Sequence, residues 1–167
     1  KCFRENLALP ALTDYFKKET FSYYDMAKEI AKLHLLLREA HIGQGDKIAL
    51  IGRNNPRWCI CYLATITYGA VIVPILQDFN ANDIRHIINH SDSRLLFLGD
   101  NFWDLIDPEQ IEQVEAVFSL TDYHCIYERT GTRLTRFQEE RDKRYRARYK
   151  RGFSAKDISY PEVPNDQ

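Results

Sequence analysis

Apolar runs and amphipathic stretches alternate along the chain with few interruptions. Met26, Ile30, Leu33 and Leu37 recur at helical spacing behind Ser22 and Asp25, a capping-box variant with Asp in the Glu role. Gly43 is the expected left-handed stop of that helix. After the turn Gly43-Gln44-Gly45-Asp46, KIALIG (47–52) is a short apolar run suited to a buried parallel strand. Asn55 followed by Pro56 starts the next helix, because proline at its first position has no N–H to lose. Gly69 ends that helix and AVIVPIL (70–76) forms a second strand, in which Pro74 must end the ladder or occupy an unpaired position.

Asn80 with Asp83 caps a third helix carrying Ile84, Ile87 and Ile88. RLLFLGD (94–100) is a third strand, a short helical stretch follows around 102–114, and EAVFSL (115–120) is a fourth strand. HCIYER (124–129) reads as a fifth, more exposed one. Strands alternating with helices in this way predict an α/β fold: a doubly wound, mostly parallel sheet flanked by helices, with right-handed crossovers.

The pattern changes after Thr132. Thr135 and Gln138 suggest a further capping box, and Glu139/Lys143 and Glu140/Arg144 are helix-supporting pairs four residues apart. RDKRYRARYKR (141–151) sets Arg141, Lys143, Arg144, Arg146, Arg148, Lys150 and Arg151 against the single acid Asp142. With a net charge of -1 for the whole chain, this stretch is +6 and the remainder -7. Tyr145 and Tyr149, one turn apart, are expected to pack inward. The last residues, with two prolines and no periodicity, read as an extended linker. The 167 residues thus divide into a core at about 20–130, a basic helix at about 135–151 and a linker at 152–167 of one subdomain.

Charge and composition narrow the classes. A net charge of -1 recruits neither nucleic acid nor membrane by itself. No apolar run is long enough to span a bilayer, and the first residues lack a signal-peptide core. Cys2, Cys59, Cys61 and Cys125 form no CxxC pair and read as reduced thiols of a cytoplasmic protein. Cys59 and Cys61 should point to different sides of their helix.

Candidate chemistry is sparse. No serine sits in a G-x-S-x-G elbow, and only Gly52 follows the first strand where a dinucleotide fingerprint needs three glycines. The P-loop Gly-Lys-Ser/Thr is missing too. His86 and His90 share a helix face with Asp83, yet no further ligands follow at fitting spacing, so they read as solvated histidines. Asp100 closes the third strand, but the first ends in Gly52-Arg53-Asn54, which argues against a receiver-type carboxylate cluster. Asn54 and Asn55 are expected to build a turn and cap, and Trp58 to pack. No residue is assigned a catalytic, cofactor-binding or metal-binding role.

Three pieces in order carry a resemblance: Gly45-Asp46-Lys47-Ile48-Ala49-Leu50, Asn54-Asn55-Pro56-Arg57-Trp58, and Gly69-Ala70-Val71-Ile72-Val73-Pro74. Together they resemble the N-terminal region of adenylate-forming (AMP-binding) enzymes, above all the long-chain fatty acyl-CoA synthetases. The resemblance covers roughly residues 20–100. It implies the N-terminal portion of the synthetase large domain, with Pro164-Asn165-Asp166-Gln167 similar to the segment that precedes the family's phosphate-binding loop. It also implies that ATP, Mg and CoA serve the full-length enzyme through later segments, and that this chain alone is inactive. The chain's partners would be downstream segments of its own protein, with a homodimer as a further option and an anionic membrane met by the seven basic residues. Nucleic acid is not expected. Two other readings stay open at this point: a self-contained small α/β binding or signalling domain, and a basic-helix adaptor.

Overall fold

The computed structural model describes residues 2–158. A short helix α1 (Cys2–Glu5) leads into a two-stranded antiparallel hairpin, β1 (Pro10–Asp14) and β2 (Glu19–Ser22). Helix α2 (Tyr23–Glu39) follows directly. The Ser22 side chain accepts from the Asp25 N–H at 3.1 Å while Asp25 accepts from the Ser22 N–H at 3.0 Å, so the capping box forms as expected.

Five strands make the central sheet: β3 (Lys47–Ile51), β4 (Val71–Ile75), β5 (Leu95–Leu98), β6 (Ala116–Ser119) and β7 (Cys125–Glu128). Their order is β4-β3-β5-β6-β7; the first four are parallel and β7 returns antiparallel. The crossovers run through α3 (Pro56–Tyr68) and α4 (Ala81–His90), and through two 3-10 turns at Asp100–Leu105 and Pro108–Gln110. Those turns stand where a short helical stretch was expected around 102–114.

Alternation along the strands divides the core. Ile48, Leu50, Leu95, Phe97, Ala116 and Phe118 face α2 and α3, with Phe97 and Phe118 stacked at 5.1 Å. Ala49, Ile51, Leu96, Leu98 and Val117 face α4 and the 3-10 turns. Strands apolar on both faces are therefore covered on both, as a doubly wound sheet requires. Strand β4 is at the edge, with Val71 and Leu76 exposed. Val71 donates to the Asp46 carbonyl at 2.8 Å, so in the parallel ladder Val73 and Ile75 face β3 while Ile72 and Pro74 face outward. Pro74 thus loses no ladder bond, the position expected for it.

Helix ends match expectation at α3 and depart from it at α2. Gly69 takes the left-handed cap of α3 (φ 94°), as its position suggests. Helix α2, by contrast, ends at His41 (φ 53°) and not at Gly43: His41 N–H donates to the Arg38 carbonyl and Ile42 N–H to Leu37, the two bonds of a Schellman turn. Burial of Ile42 selects this stop, since only then does the chain fold the side chain onto the core.

The basic region is two helices, α5 (Arg133–Glu139) and α6 (Arg141–Arg148), broken at Glu140. Thr135 caps nothing. The Glu128 carboxylate at the end of β7 accepts from the Leu134 and Thr135 N–H groups at 2.9 and 3.0 Å, and Gln138 instead reaches the Tyr123 carbonyl. Across the break, Lys143 pairs with Glu140 rather than with Glu139. Residues 152–158 are not extended linker: Phe153 and Ile158 pack with Ala27, Ala31 and Tyr145, and Ser154 and Asp157 close a capping box. The similarity noted for Pro164–Gln167 lies outside the described residues.

Candidate functional site

In an open parallel sheet the crevice for a ligand lies at the carboxyl ends of the strands, beside the strand where the winding reverses. That strand is β3, between β4 and β5. Its exit is Gly52-Arg53-Asn54. A Cβ at Gly52 would stand 2.9 Å from Leu120 Cδ1 and 3.4 Å from the Gly99 nitrogen, so glycine is there for close packing of the β3 and β5 exits. A cavity of about 480 Å³ opens between the ends of β3 and β4, lined by Arg53, Asn54, Trp58, Gln77 and Asp78 among others.

The groups at this end are mostly occupied by structure. Asn55 Oδ1 caps α3 by accepting from the Trp58 N–H at 2.9 Å, and the Trp58 ring stacks on Tyr62 at 5.5 Å. Asp100 accepts from the Ser119 and Thr121 hydroxyls, tying the β5 and β6 exits together. Arg53 and Asn54 remain exposed at the mouth. The arrangement presents a cation and amides to a crevice, with no activated nucleophile beside a base.

The opposite end of the sheet explains the Gly-Asp-Lys piece. Asp46 precedes β3, Arg94 precedes β5 and Glu115 precedes β6. Arg94 pairs with Asp46, meets Glu115 at 2.6 Å and donates to the His41 carbonyl at 3.0 Å. Asp46 also accepts from the Gly43 N–H at 2.8 Å, and that bond, with Arg94, holds its carboxyl below the usual range. Asp46 is therefore a strand pin, a role that needs the partners at 94 and 115 and is not visible in the motif alone.

The basic residues do not act as one surface. Arg141 lies 3.8 Å from Glu29 and over the Tyr123 ring; Arg144 pairs with Glu140 at 3.3 Å and covers Phe137; Lys143 lies 3.8 Å from Glu140. Asp142 reaches the buried Lys32, which also holds Glu29, each at 2.7 Å. Tyr145 is buried and Tyr149 half-buried, inward as expected. Arg146, Arg148, Lys150 and Arg151 are exposed and carry no ion pair among the described residues.

His86 and His90 are exposed and stacked on each other, and no cluster of three His, Cys, Asp or Glu side chains suited to a metal occurs among the described residues. Cys61 is buried and Cys59 half-buried, on different sides of α3; both are free, and burial pushes both thiols up. No helix among the described residues is long and apolar enough to cross a membrane.

The fold of this chain is shared with the N-terminal domains of solved adenylate-forming ligases. The N-terminal domain of FACL13 from Mycobacterium tuberculosis superposes with a TM-score of 0.66 over 95% of this chain and 35% of its own, at 18% identity. The AMP-binding enzyme family model matches residues 3–164, and the chain belongs to that family. A crotonobetaine/carnitine–CoA ligase of Proteus mirabilis is 33% identical over 92 residues, 55% of this chain and 18% of the relative. Long-chain-fatty-acid–CoA ligase 6 of Rattus norvegicus is 36% identical over 97 residues, 57% of this chain and 14% of the relative. The chain spans only 12% to 20% of the length of such curated relatives.

Proposed function

We propose that this chain is the N-terminal scaffold of an ATP-dependent acid–CoA ligase that acts on long-chain fatty acids. The observation that carries the reading is the family match over residues 3–164 in a chain that contains no glycine-rich phosphate loop. In the reaction proposed for the whole protein, a carboxylate attacks the α-phosphorus of Mg-ATP and pyrophosphate leaves. The CoA thiol then attacks the acyl-adenylate carbonyl and AMP leaves. ATP, Mg and CoA would be held by segments outside this chain. Its own contribution is the twisted sheet, pinned at one end by Arg94 and at the other by Asp100, against which those segments assemble.

The relatives differ in the acid their names specify, carnitine-type, acetyl and long-chain among them. The long-chain reading is supported by the rat ligase and by the order of the three motif pieces. The test is pyrophosphate release by the gene's full product over a panel of acids from acetate to long-chain fatty acids. The expected result is highest kcat/KM with the long-chain acids. Turnover restricted to short or carnitine-type acids would refute the substrate, and no adenylate formation with any acid would refute the ligase.

A further inference from the structure

The tip of the β1–β2 hairpin holds two aromatic rings out in solvent. Tyr15 is 84% and Phe16 92% exposed, edge-on to one another with centroids 5.8 Å apart. The turn that carries them is well defined. Asp14 Oδ1 accepts from the N–H groups of both Phe16 and Lys17 at 2.9 Å, and the Thr13 and Thr20 hydroxyls bond across the strands at 3.1 Å. Behind the tip, Phe21 is buried in the core and Arg57 lies over its ring. A braced loop that shows two large rings to water opposes the hydrophobic effect, which marks it as a contact surface.

The neighbouring charges indicate what it contacts. Lys17 and Lys18 follow the rings directly and are exposed, without an ion pair among the described residues. The nearby acids are engaged: Asp14 closes the turn and Glu19 meets Arg57 at 3.2 Å. A protein cover would bury two ammonium groups and would have to supply acids for them. At a lipid surface the rings can lie at headgroup level while the lysine stems extend to the phosphates.

We propose that the hairpin tip is a peripheral lipid contact, with Tyr15 and Phe16 entering the headgroup layer of an anionic bilayer and Lys17 and Lys18 against its phosphates. The hairpin carries this contact by itself, independently of the ligase activity. The test uses vesicles of phosphatidylcholine, with and without phosphatidylglycerol, some with brominated acyl chains. In Phe16→Trp of the 167-residue chain, anionic vesicles should shift the emission to the blue beyond any change in the unsubstituted chain, whose tryptophans are Trp58 and Trp103, and brominated lipid should quench it. Tyr15→Ser/Phe16→Ser should lower co-sedimentation roughly tenfold. Lys17→Glu/Lys18→Glu should abolish the preference for anionic lipid.

Four results would overturn the proposal. One is a Phe16→Trp emission indifferent to vesicles, and another is an absence of vesicle binding. A third is binding that survives the serine variant but falls in Arg146→Glu/Lys150→Glu, which would move the contact to α6. The last is concentration-dependent association in sedimentation velocity that the serine variant removes in the absence of lipid, which would make the tip a contact between copies.

Discussion

His34 shows how one side chain can couple stability to pH. Its ring is held between α2 and α3, with Nε2 3.0 Å from the Ala64 carbonyl and 3.1 Å from the Thr67 hydroxyl. Burial, opposed by the bond to Ala64 and assisted by Arg38, pushes its pKa down from 6.5 to about 4. The folded state keeps the ring neutral while the unfolded chain protonates below pH 6.5. This contribution is therefore complete above that value, falls as pH drops from 6.5 to 4, and levels off below. Between pH 7 and pH 5 it should cost about 2 kcal/mol, and His34→Gln should remove that part of the slope. Urea midpoints of both proteins at the two pH values check this; equal losses would refute it. At the Arg94 pin, Arg94→Ala leaves the half-exposed Asp46 and Glu115 without their shared cation and should cost about 1–2 kcal/mol, read as a lower urea midpoint at unchanged m.

Elements were legible where their signals are local. The caps at Ser22, Asn55 and Asn80 and the stop at Gly69 each depend on residues within three or four positions, and each forms. The five strands were legible because their apolar runs are short and bounded by turn residues. The β1–β2 hairpin was not, since Pro10 to Ser22 has no sustained alternation and its four-residue tip is aromatic and basic instead of Asn-Gly. The α5 cap was also missed, because its carboxylate comes from the preceding strand. Glu128→Ala should cost about 1–2 kcal/mol and speed exchange of the Leu134 and Thr135 amides, with little change in the amides of β3. A loss of protection spread evenly over the molecule would contradict that local role. For the basic segment, internal pairing of Arg141, Lys143 and Arg144 leaves four of the seven cations without an ion pair among the described residues. We propose that any attraction of α6 to anionic lipid comes from Arg146, Arg148, Lys150 and Arg151. Vesicle binding that depends on them should weaken steeply with salt, whereas charge reversal at Arg141 should alter folding more than binding.

At the scale of the molecule, the sheet is covered on both faces yet open along β4. The edge position of β4, with Val71 and the following Leu76 exposed, fits a surface left for further segments. Pro74 limits what can join there: only Ile72 offers an outward N–H within the strand, so strand-to-strand pairing is blunted and contact falls to the exposed apolar side chains of Val71 and Leu76. The candidate crevice was legible only as a turn without chemistry, because a site assembled from distant segments leaves no local signature in one of them. On the proposed function, this chain supplies the scaffold and not the nucleotide site of an adenylate-forming ligase. Titration calorimetry of the 167-residue chain with Mg-ATP tests it most directly. No saturable heat is expected up to millimolar nucleotide. Binding with a micromolar Kd would place a nucleotide site within this chain and contradict it.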